Sequence, residues 1–230
     1  MVIAMDITVY PVRFDFNICL TLRVMDVTTQ TQHPSSPSTT SAPARKRIAV
    51  ISSSVRDGRM SPTIADWVVA ALDQTGGVEV DLIDLIEISL PDDSQLYPGG
   101  GPETAVGERI EAAEAFVFIT PEYNHSYPAS LKRLIDWHYQ EWKLKPATIV
   151  AYGVQGGHAA IDHLRGVLAE LNMITTRRCM GLPAPWESLD DTERYVPADS
   201  VTKALTSALA ELSWWSDVLT DARTNRPFPA

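Results

Sequence analysis

Short runs of apolar, often β-branched residues alternate with helix-like patterns from Lys46 onward, and this alternation constrains the fold more than any other feature. The runs lie at residues 47–53, 78–85, 115–120, 147–153 and 173–180. The first of them, RIAVISS, shows no polar and apolar alternation, which is typical of a strand covered on both faces. Strands alternating with helices favour a parallel sheet with right-handed crossovers and helices on both faces. The sequence therefore predicts an α/β domain.

Apolar residues at helical spacing mark the segments between these runs. The clearest case follows the first run and has apolar residues at i, i+3, i+4, i+7 and i+8: Ile64, Trp67, Val68, Ala71 and Leu72. Ser61 is predicted to cap this helix, with Pro62 as its first helical residue. Other helices are predicted around Val106 and Ile110, at residues 129–138, between Ile161 and Leu171, and between Val201 and Leu219. A loop rich in glycine and proline is predicted at residues 91–102.

The first 44 residues do not follow this pattern. Residues 28–44 consist almost entirely of Thr, Ser, Pro, Gln and Ala, a composition that buries too little apolar surface to offset the entropy of ordering. We predict a disordered linker there. Residues 1–27 form an N-terminal extension whose apolar residues alternate as in a half-buried strand. It is an added edge strand, a partner-binding segment or the product of a start codon placed too early. The predicted domain occupies residues 45–226.

Charge and residue usage exclude several kinds of partner. A formal net charge of -10 argues against a surface that binds nucleic acid. The two cysteines, Cys19 and Cys179, lie far apart, and the five histidines form no metal-binding pattern, so no metal site is predicted. This cysteine usage favours a reduced, cytoplasmic protein. No apolar stretch is long enough to span a bilayer, so no membrane partner is predicted.

The loop after the first predicted strand, SSSVRDGRMSP at residues 52–62, has the residues of an anion site. Serine hydroxyls, backbone N–H groups and a helix start bind phosphate well, and two arginines add charge-assisted hydrogen bonds. The candidate binding residues are Ser54, Arg56, Arg59 and Ser61. The loop lacks the spacing of a Walker or dinucleotide motif. The alternative is a capped serine-rich loop with two solvated arginines.

Two further loops follow predicted strands and should lie at the same edge of the sheet. In the first, a rigid proline, a flat ring and polar groups suit a planar polar ligand: Pro121, Glu122, Tyr123 and Asn124. In the second, three glycines allow a backbone to approach a flat ligand closely: Gly153, Gly156 and Gly157. The alternatives are a rigid strand-to-helix turn and a tight glycine turn.

Together these loops resemble those of the NADPH-dependent FMN reductase family, flavodoxin-like flavoproteins that include azo-, quinone- and chromate-reducing members. The resemblance covers about residues 47–175. It rests on SSVRDGR in the first loop, on PEYN with Ser126 and Pro128 in the second, and on LKRLIDW followed by YGVQGGH. One departure is Ser53-Ser54, where many members have Gly-Ser. A torsion that only glycine adopts would be strained at Ser53.

The resemblance implies a flavodoxin-like, doubly wound, five-stranded parallel sheet that binds FMN. Ser54, Arg56, Arg59 and Ser61 would hold the ribityl phosphate. The segment from Pro121 to Asn124 would form a wall for the isoalloxazine ring, and Gly153, Gly156 and Gly157 would let the backbone lie near that ring. No catalytic side chain is expected, because the flavin carries the redox chemistry.

The implied activity is that of an NAD(P)H-dependent oxidoreductase. It passes electrons from NADPH or NADH through FMN to a small acceptor, which is a flavin, a quinone, an azo compound or chromate. The alternative is a non-catalytic flavodoxin-type electron carrier or a flavin-binding sensor, whose docking on basic partners would suit the acidic charge. The resemblance also implies a homodimer or homotetramer. The aromatic stretch DWHYQEW, residues 136–142, either anchors that interface or completes the core.

Overall fold

The structure is a computed structural model that describes residues 45–226, 228 and 229. The predicted N-terminal extension, residues 1–27, and the predicted linker, residues 28–44, lie outside the described residues. Within the described part of the chain, no helix is both long and apolar enough to cross a membrane.

Strands and helices alternate through the described chain as the sequence predicts. The strands are β1 (Lys46–Ser52), β2 (Val78–Asp84), β3 (Ala115–Pro121), β4 (Pro146–Gly153), β5 (Ile174–Thr175) and β6 (Met180–Pro183). The helices are α1 (Ser61–Thr75), α2 (Ala105–Ala112), α3 (Ala129–Trp137), α4 (His158–Glu170) and α5 (Asp199–Asn225). Short 3-10 turns occupy Asp93–Gln95, Gln140–Trp142 and Pro185–Ser188.

The sheet is parallel throughout, with the order β2-β1-β3-β4-β5. This order is that of flavodoxin-like folds, and it reverses direction between β1 and β3. The predicted flavodoxin-like fold is thereby confirmed. Because ligands in such sheets bind outside the carboxyl ends of the strands next to this reversal, the loops after β1 and β3 define where a site can lie.

The fifth strand differs from its prediction as one continuous run over residues 173–180. β5 pairs with the first residues of β4 and β6 with its last four, so the two segments together form one interrupted edge strand. Between them the Arg165 side chain donates hydrogen bonds to the carbonyl oxygens of Thr176 and Arg177. Thr148 Oγ1 donates to the carbonyl of Arg178. Side chains thus satisfy the backbone groups where the ladder is broken.

Each face of the sheet carries its own apolar layer. One layer packs α2, α3 and α4 against alternate strand residues such as Ile51, Phe116 and Phe118. The other packs α1 and α5 against the residues between them, such as Val50 and Val117. Successive side chains of a strand point to opposite faces of the sheet, and here both faces are covered by helices. A central strand such as β3 is therefore apolar at successive positions and does not alternate with polar residues.

Two local expectations change in the structure. Ser61 is not the N-cap of α1: Met60 holds that position without a side-chain hydrogen bond, and Ser61 begins the helix. In the aromatic stretch at residues 136–142, Trp137 and Trp142 are buried in the described chain, with 1% and 0% of their surface exposed. Trp142 contacts the rings of Phe116 and Phe118. For these two tryptophans the core alternative is the correct one.

Candidate functional site

The three loops singled out in the sequence meet at the carboxyl edge of the sheet. They follow β1, β3 and β4, which are neighbours in the sheet. Two pairs of hydroxyl groups link them. Ser54 Oγ lies 2.7 Å from Tyr123 Oη, and Ser61 Oγ lies 2.8 Å from Tyr152 Oη. The loop after β1 is therefore bonded both to the loop after β3 and to the end of β4.

The start of α1 presents the features of an anion site. Ser61 at this helix start and Ser52, Ser53 and Ser54 at the end of β1 are fully buried. Among the described residues, Ser52 Oγ and Ser53 Oγ have no hydrogen-bond partner. The first N–H groups of a helix also lack partners inside the helix, and Met60 offers no side chain to cap them. An uncapped, positively polarised helix end fits a phosphate group.

The two arginines of this loop have different surroundings. Arg59 Nη1 donates to Asp84 Oδ1 at 2.5 Å and to the carbonyl oxygen of Ser54 at 3.1 Å. Both partners of this ion pair are mostly buried, so Arg59 ties the loop to the end of β2. Arg56 is exposed, with its guanidinium carbon 5.8 Å from the centre of the Tyr123 ring. Arg56 is in none of the ion pairs formed within the described residues, so it is the loop arginine available to an anion.

The segment after β3 is a tight hairpin turn. Tyr123 N donates to Ser126 O at 2.7 Å, and Ser126 N donates to Tyr123 O at 3.0 Å. Between them Asn124 and His125 both have positive φ, at 49° and 68°. Two successive positive φ values are those of a type I′ turn. Asn and His are among the non-glycine residues that adopt this conformation most readily. The turn fixes the position of the Tyr123 ring.

Glu122 connects this turn to α4. Its Oε2 accepts hydrogen bonds from the backbone of Ala159 at 3.0 Å and of Ala160 at 3.4 Å. Gly157 occupies the N-cap of α4 and has no side chain with which to bond these groups. Glu122 therefore caps α4 from another loop, and its negative charge favours that helix end. This oxygen is engaged within the protein, which the sequence interpretation of Glu122 as a ring contact did not foresee.

Local backbone requirements explain two of the three glycines after β4. Gly156 and Gly157 have φ values of +92° and +77°. A Cβ atom on Gly157 would lie 2.8 Å from both the Ala151 Cβ and the Tyr152 N. A Cβ on Gly153 would meet its nearest atom, the Glu122 Cβ, at 3.4 Å, which is an ordinary contact. The tight-turn interpretation therefore accounts for Gly156 and Gly157, and Gly153 has no such requirement.

The backbone at Ser53 does not adopt a conformation that favours glycine. It is absent from the described residues with positive φ, so the expected strain does not arise.

Two further residues at this edge, Tyr152 and Asp84, were not among those predicted for the site. Tyr152 is the penultimate residue of β4, and Asp84 is the last residue of β2. Both lie at the carboxyl ends of parallel strands, and that position alone could have identified them. Burial raises the pKa of the Tyr152 hydroxyl. This group therefore stays neutral and can donate a hydrogen bond at neutral pH.

Comparison with known proteins shows which family this chain resembles. The chain matches the family described as NADPH-dependent FMN reductase over residues 46–186. An NAD(P)H-dependent FMN reductase of Schizosaccharomyces pombe is 36% identical over 152 residues, which cover 62% of this chain and 76% of the relative. A 2-hydroxy-1,4-benzoquinone reductase of a Burkholderia species is 30% identical over 142 residues, which cover 57% of this chain and 78% of that relative.

A solved structure has the same fold. The flavoenzyme NAD(P)H:(acceptor) oxidoreductase FerB of Paracoccus denitrificans superposes with a TM-score of 0.61 and 24% sequence identity. The superposition covers 75% of this chain and 98% of FerB. At this identity the likeness concerns the fold alone.

Proposed function

The chain belongs to the NADPH-dependent FMN reductase family, and from that premise we propose that it is an NAD(P)H-dependent enzyme whose bound FMN delivers electrons to a small quinone. The single observation that carries the proposal is the uncapped start of α1, which Ser61 begins and which the loop of Ser54 joins to the hairpin turn of Tyr123. The non-catalytic carrier or sensor is not adopted, because the relatives in this family are enzymes.

The residues at this edge have separate proposed tasks. The ribityl phosphate is assigned to Ser54, Ser61 and Arg56, with Arg59 keeping the loop in shape through Asp84. The ring is assigned to the hairpin from Pro121 to Asn124, which Glu122 fixes against α4. Gly153 provides backbone without a side chain beside it, and Gly156 and Gly157 form the turn that places it.

When bound, FMN supplies the two-electron chemistry that links a nicotinamide donor to an acceptor, and the protein supplies placement and electrostatics. The hydroxyl pairs hold the loops after β1, β3 and β4 together before any ligand arrives. Such preorganisation lowers the cost of ordering on binding. No side chain is assigned as a catalytic acid or base.

A neutral quinone suits the rim of this site better than an anionic acceptor. Apolar side chains are exposed on three loops at the carboxyl edge: Val55 by 45%, Val154 by 77% and Trp186 by 43%. They offer apolar contact to a flat neutral molecule. The net charge of -10 disfavours the approach of chromate, an anion with no apolar surface for these side chains to contact.

The first test is anaerobic reduction of the purified full-length protein with FMN bound. We expect NADPH or NADH to bleach the flavin absorbance and 1,4-benzoquinone to restore it. Steady turnover should have a higher kcat/KM with benzoquinone than with chromate. The ratio of the two kcat/KM values should fall with added salt, because salt screens the repulsion between the acidic protein and chromate. A flavin that binds but is not bleached would refute the reductase and favour the carrier. A protein that does not bind FMN would refute the whole assignment.

Arg56→Gln should weaken FMN binding about tenfold without affecting stability. Hydrogen bonds to charged groups are worth about 1.5 to 3 kcal/mol, and this exposed arginine should contribute near the lower end of that range. Fluorescence titration of FMN measures the dissociation constant. Lys203→Gln, which removes an exposed charge of α5, is the matched control. An unchanged dissociation constant in Arg56→Gln would remove Arg56 from the phosphate site.

We also propose that residues 45–226 are the FMN-binding domain, that the protein is cytoplasmic and that it forms a homodimer or homotetramer. The cysteine usage supports the location. The exposed Trp214 and Val218 of α5 support self-association, because large exposed apolar groups favour interfaces. Fluorescent tagging tests the location, and light scattering from the purified protein tests the assembly; an exclusively monomeric mass would refute the oligomer.

A further inference from the structure

A concave surface lies at the amino ends of the strands, away from the proposed FMN site at their carboxyl ends. It is a cavity of about 390 Å³, large enough for part of a small-molecule ligand. Its walls are almost wholly apolar. They come from the segment before β4, from β5, from α5 and from the residues after α5: Leu144, Ile174, Leu219, Ala222, Phe228 and Pro229. Ile174 pairs with Pro146, the first residue of β4, which places the cavity at the amino ends of the strands. We refer to it as the C-terminal pouch.

The apolar walls of the pouch are partly open to water. Ile174 is 38% exposed and Phe228 is 53% exposed. Covering such side chains with hydrocarbon is favourable by about 25 cal/mol per Å² of apolar area removed from water. The pouch therefore favours an aliphatic occupant.

Two arginines complete the lining of the pouch, Arg223 and Arg226. Arg223 Nη1 donates to the carbonyl oxygen of Leu144 at 2.6 Å, and Glu111 and Glu114 interact electrostatically with this arginine. Arg226 is exposed, and none of the ion pairs within the described residues includes it. A cation at the mouth of an apolar cavity selects an anionic head on an apolar body.

We propose that the C-terminal pouch binds a free medium-chain alkyl carboxylate, with the hydrocarbon chain among the apolar walls and the carboxylate at Arg226. This is a binding site distinct from the FMN site, and it does not depend on the proposed reductase function. Because the two sites lie at opposite ends of the strands, one protein molecule should bind FMN and the carboxylate at the same time.

The test is calorimetric titration of the full-length, FMN-saturated protein with octanoate, nonanoate and decanoate below their micelle concentrations. We expect one saturable site whose affinity rises about fourfold per methylene. 1-Decanol, which lacks the charge, should bind about tenfold more weakly than decanoate. Absence of saturable binding, or equal affinity for decanol and decanoate, would overturn the proposal.

Variants separate specific binding from a general charge effect. Arg226→Glu should weaken decanoate binding at least tenfold. Lys203→Glu makes the same charge change near the other end of α5 and should keep the dissociation constant for decanoate within twofold of the parent value. Ala222→Phe should abolish binding by filling the pouch, and circular dichroism checks that each variant is folded. Equal losses in both charge variants would overturn the site. Cosedimentation with phosphatidylserine vesicles without binding of free decanoate would also overturn it, in favour of a membrane surface.

Discussion

Replacing Gly157 with alanine is expected to lower the free energy of unfolding by about 3 kcal/mol. The residue has a φ of +77°, and a Cβ would lie 2.8 Å from the Tyr152 N and the Ala151 Cβ. A left-handed conformation costs an alanine about 1 to 2 kcal/mol, and overpacking against a rigid strand adds about 1 to 3 kcal/mol. Urea unfolding followed by tryptophan fluorescence measures the change.

Two other glycines serve as matched controls for this substitution. Gly58 has a φ of +63° but open space around its Cβ position, so Gly58→Ala should cost only the conformational part, about 1 kcal/mol. Gly166 lies inside α4, and a Cβ atom added to it would meet no neighbouring atom within 4 Å. Gly166→Ala should therefore stabilise the protein by up to about 1 kcal/mol. If Gly157→Ala costs no more than Gly58→Ala, the close approach to β4 is not what requires a glycine there.

The stability of the protein should rise between pH 8 and pH 10.5 through Lys145, by about 3 kcal/mol. Burial lowers the pKa of this side chain from 10.5 to about 8 in the folded state. In this interval the unfolded chain binds the proton and the folded chain does not, so raising the pH favours folding. The contribution is complete above pH 10.5 and is lost as the pH falls through 8. Neutral Lys145 can still donate to the carbonyl oxygens of Ile110 and Glu111.

Comparison with Lys145→Met isolates this titration, because other groups that ionise at high pH are common to both proteins. The difference in unfolding free energy between the parent and Lys145→Met should shift in favour of the parent by about 3 kcal/mol from pH 7.5 to pH 10.5. Lys203→Met, which removes an exposed lysine, controls for the lost charge. A difference that stays constant with pH would show that Lys145 keeps its ordinary affinity for protons in the folded state.

The sequence predicted the elements of the fold well, because their signals are local. Helix α1 can be recognised from the spacing of Ile64, Val68 and Leu72, and strand β3 from its continuous apolar run. Both patterns are complete within a few residues. The edge strand was the exception. Its interruption between β5 and β6 depends on Arg165 and Thr148, which reach its carbonyl groups from α4 and β4.

The sequence predicted that three loops with unusual polar and glycine residues lie at one edge of the sheet, and the structure places them there because they follow neighbouring strands. The individual roles were less predictable. Arg56 and Arg59 look equivalent in the sequence, yet only Arg59 lies within reach of Asp84. Glu122, predicted as a ring contact, has one carboxylate oxygen that caps α4. Both outcomes depend on partners 25 residues or more away along the chain.

The sequence by itself therefore determined the α/β architecture, the edge of the sheet that carries the proposed site and the family resemblance. These follow from periodicity and short motifs, which act over a few residues. Only the tertiary structure decided which polar groups are already paired inside the protein. Arg59 pairs with Asp84 and Arg56 is in no ion pair of the described residues, because a hydrogen bond requires two groups within about 3 Å and folding alone brings distant residues so close.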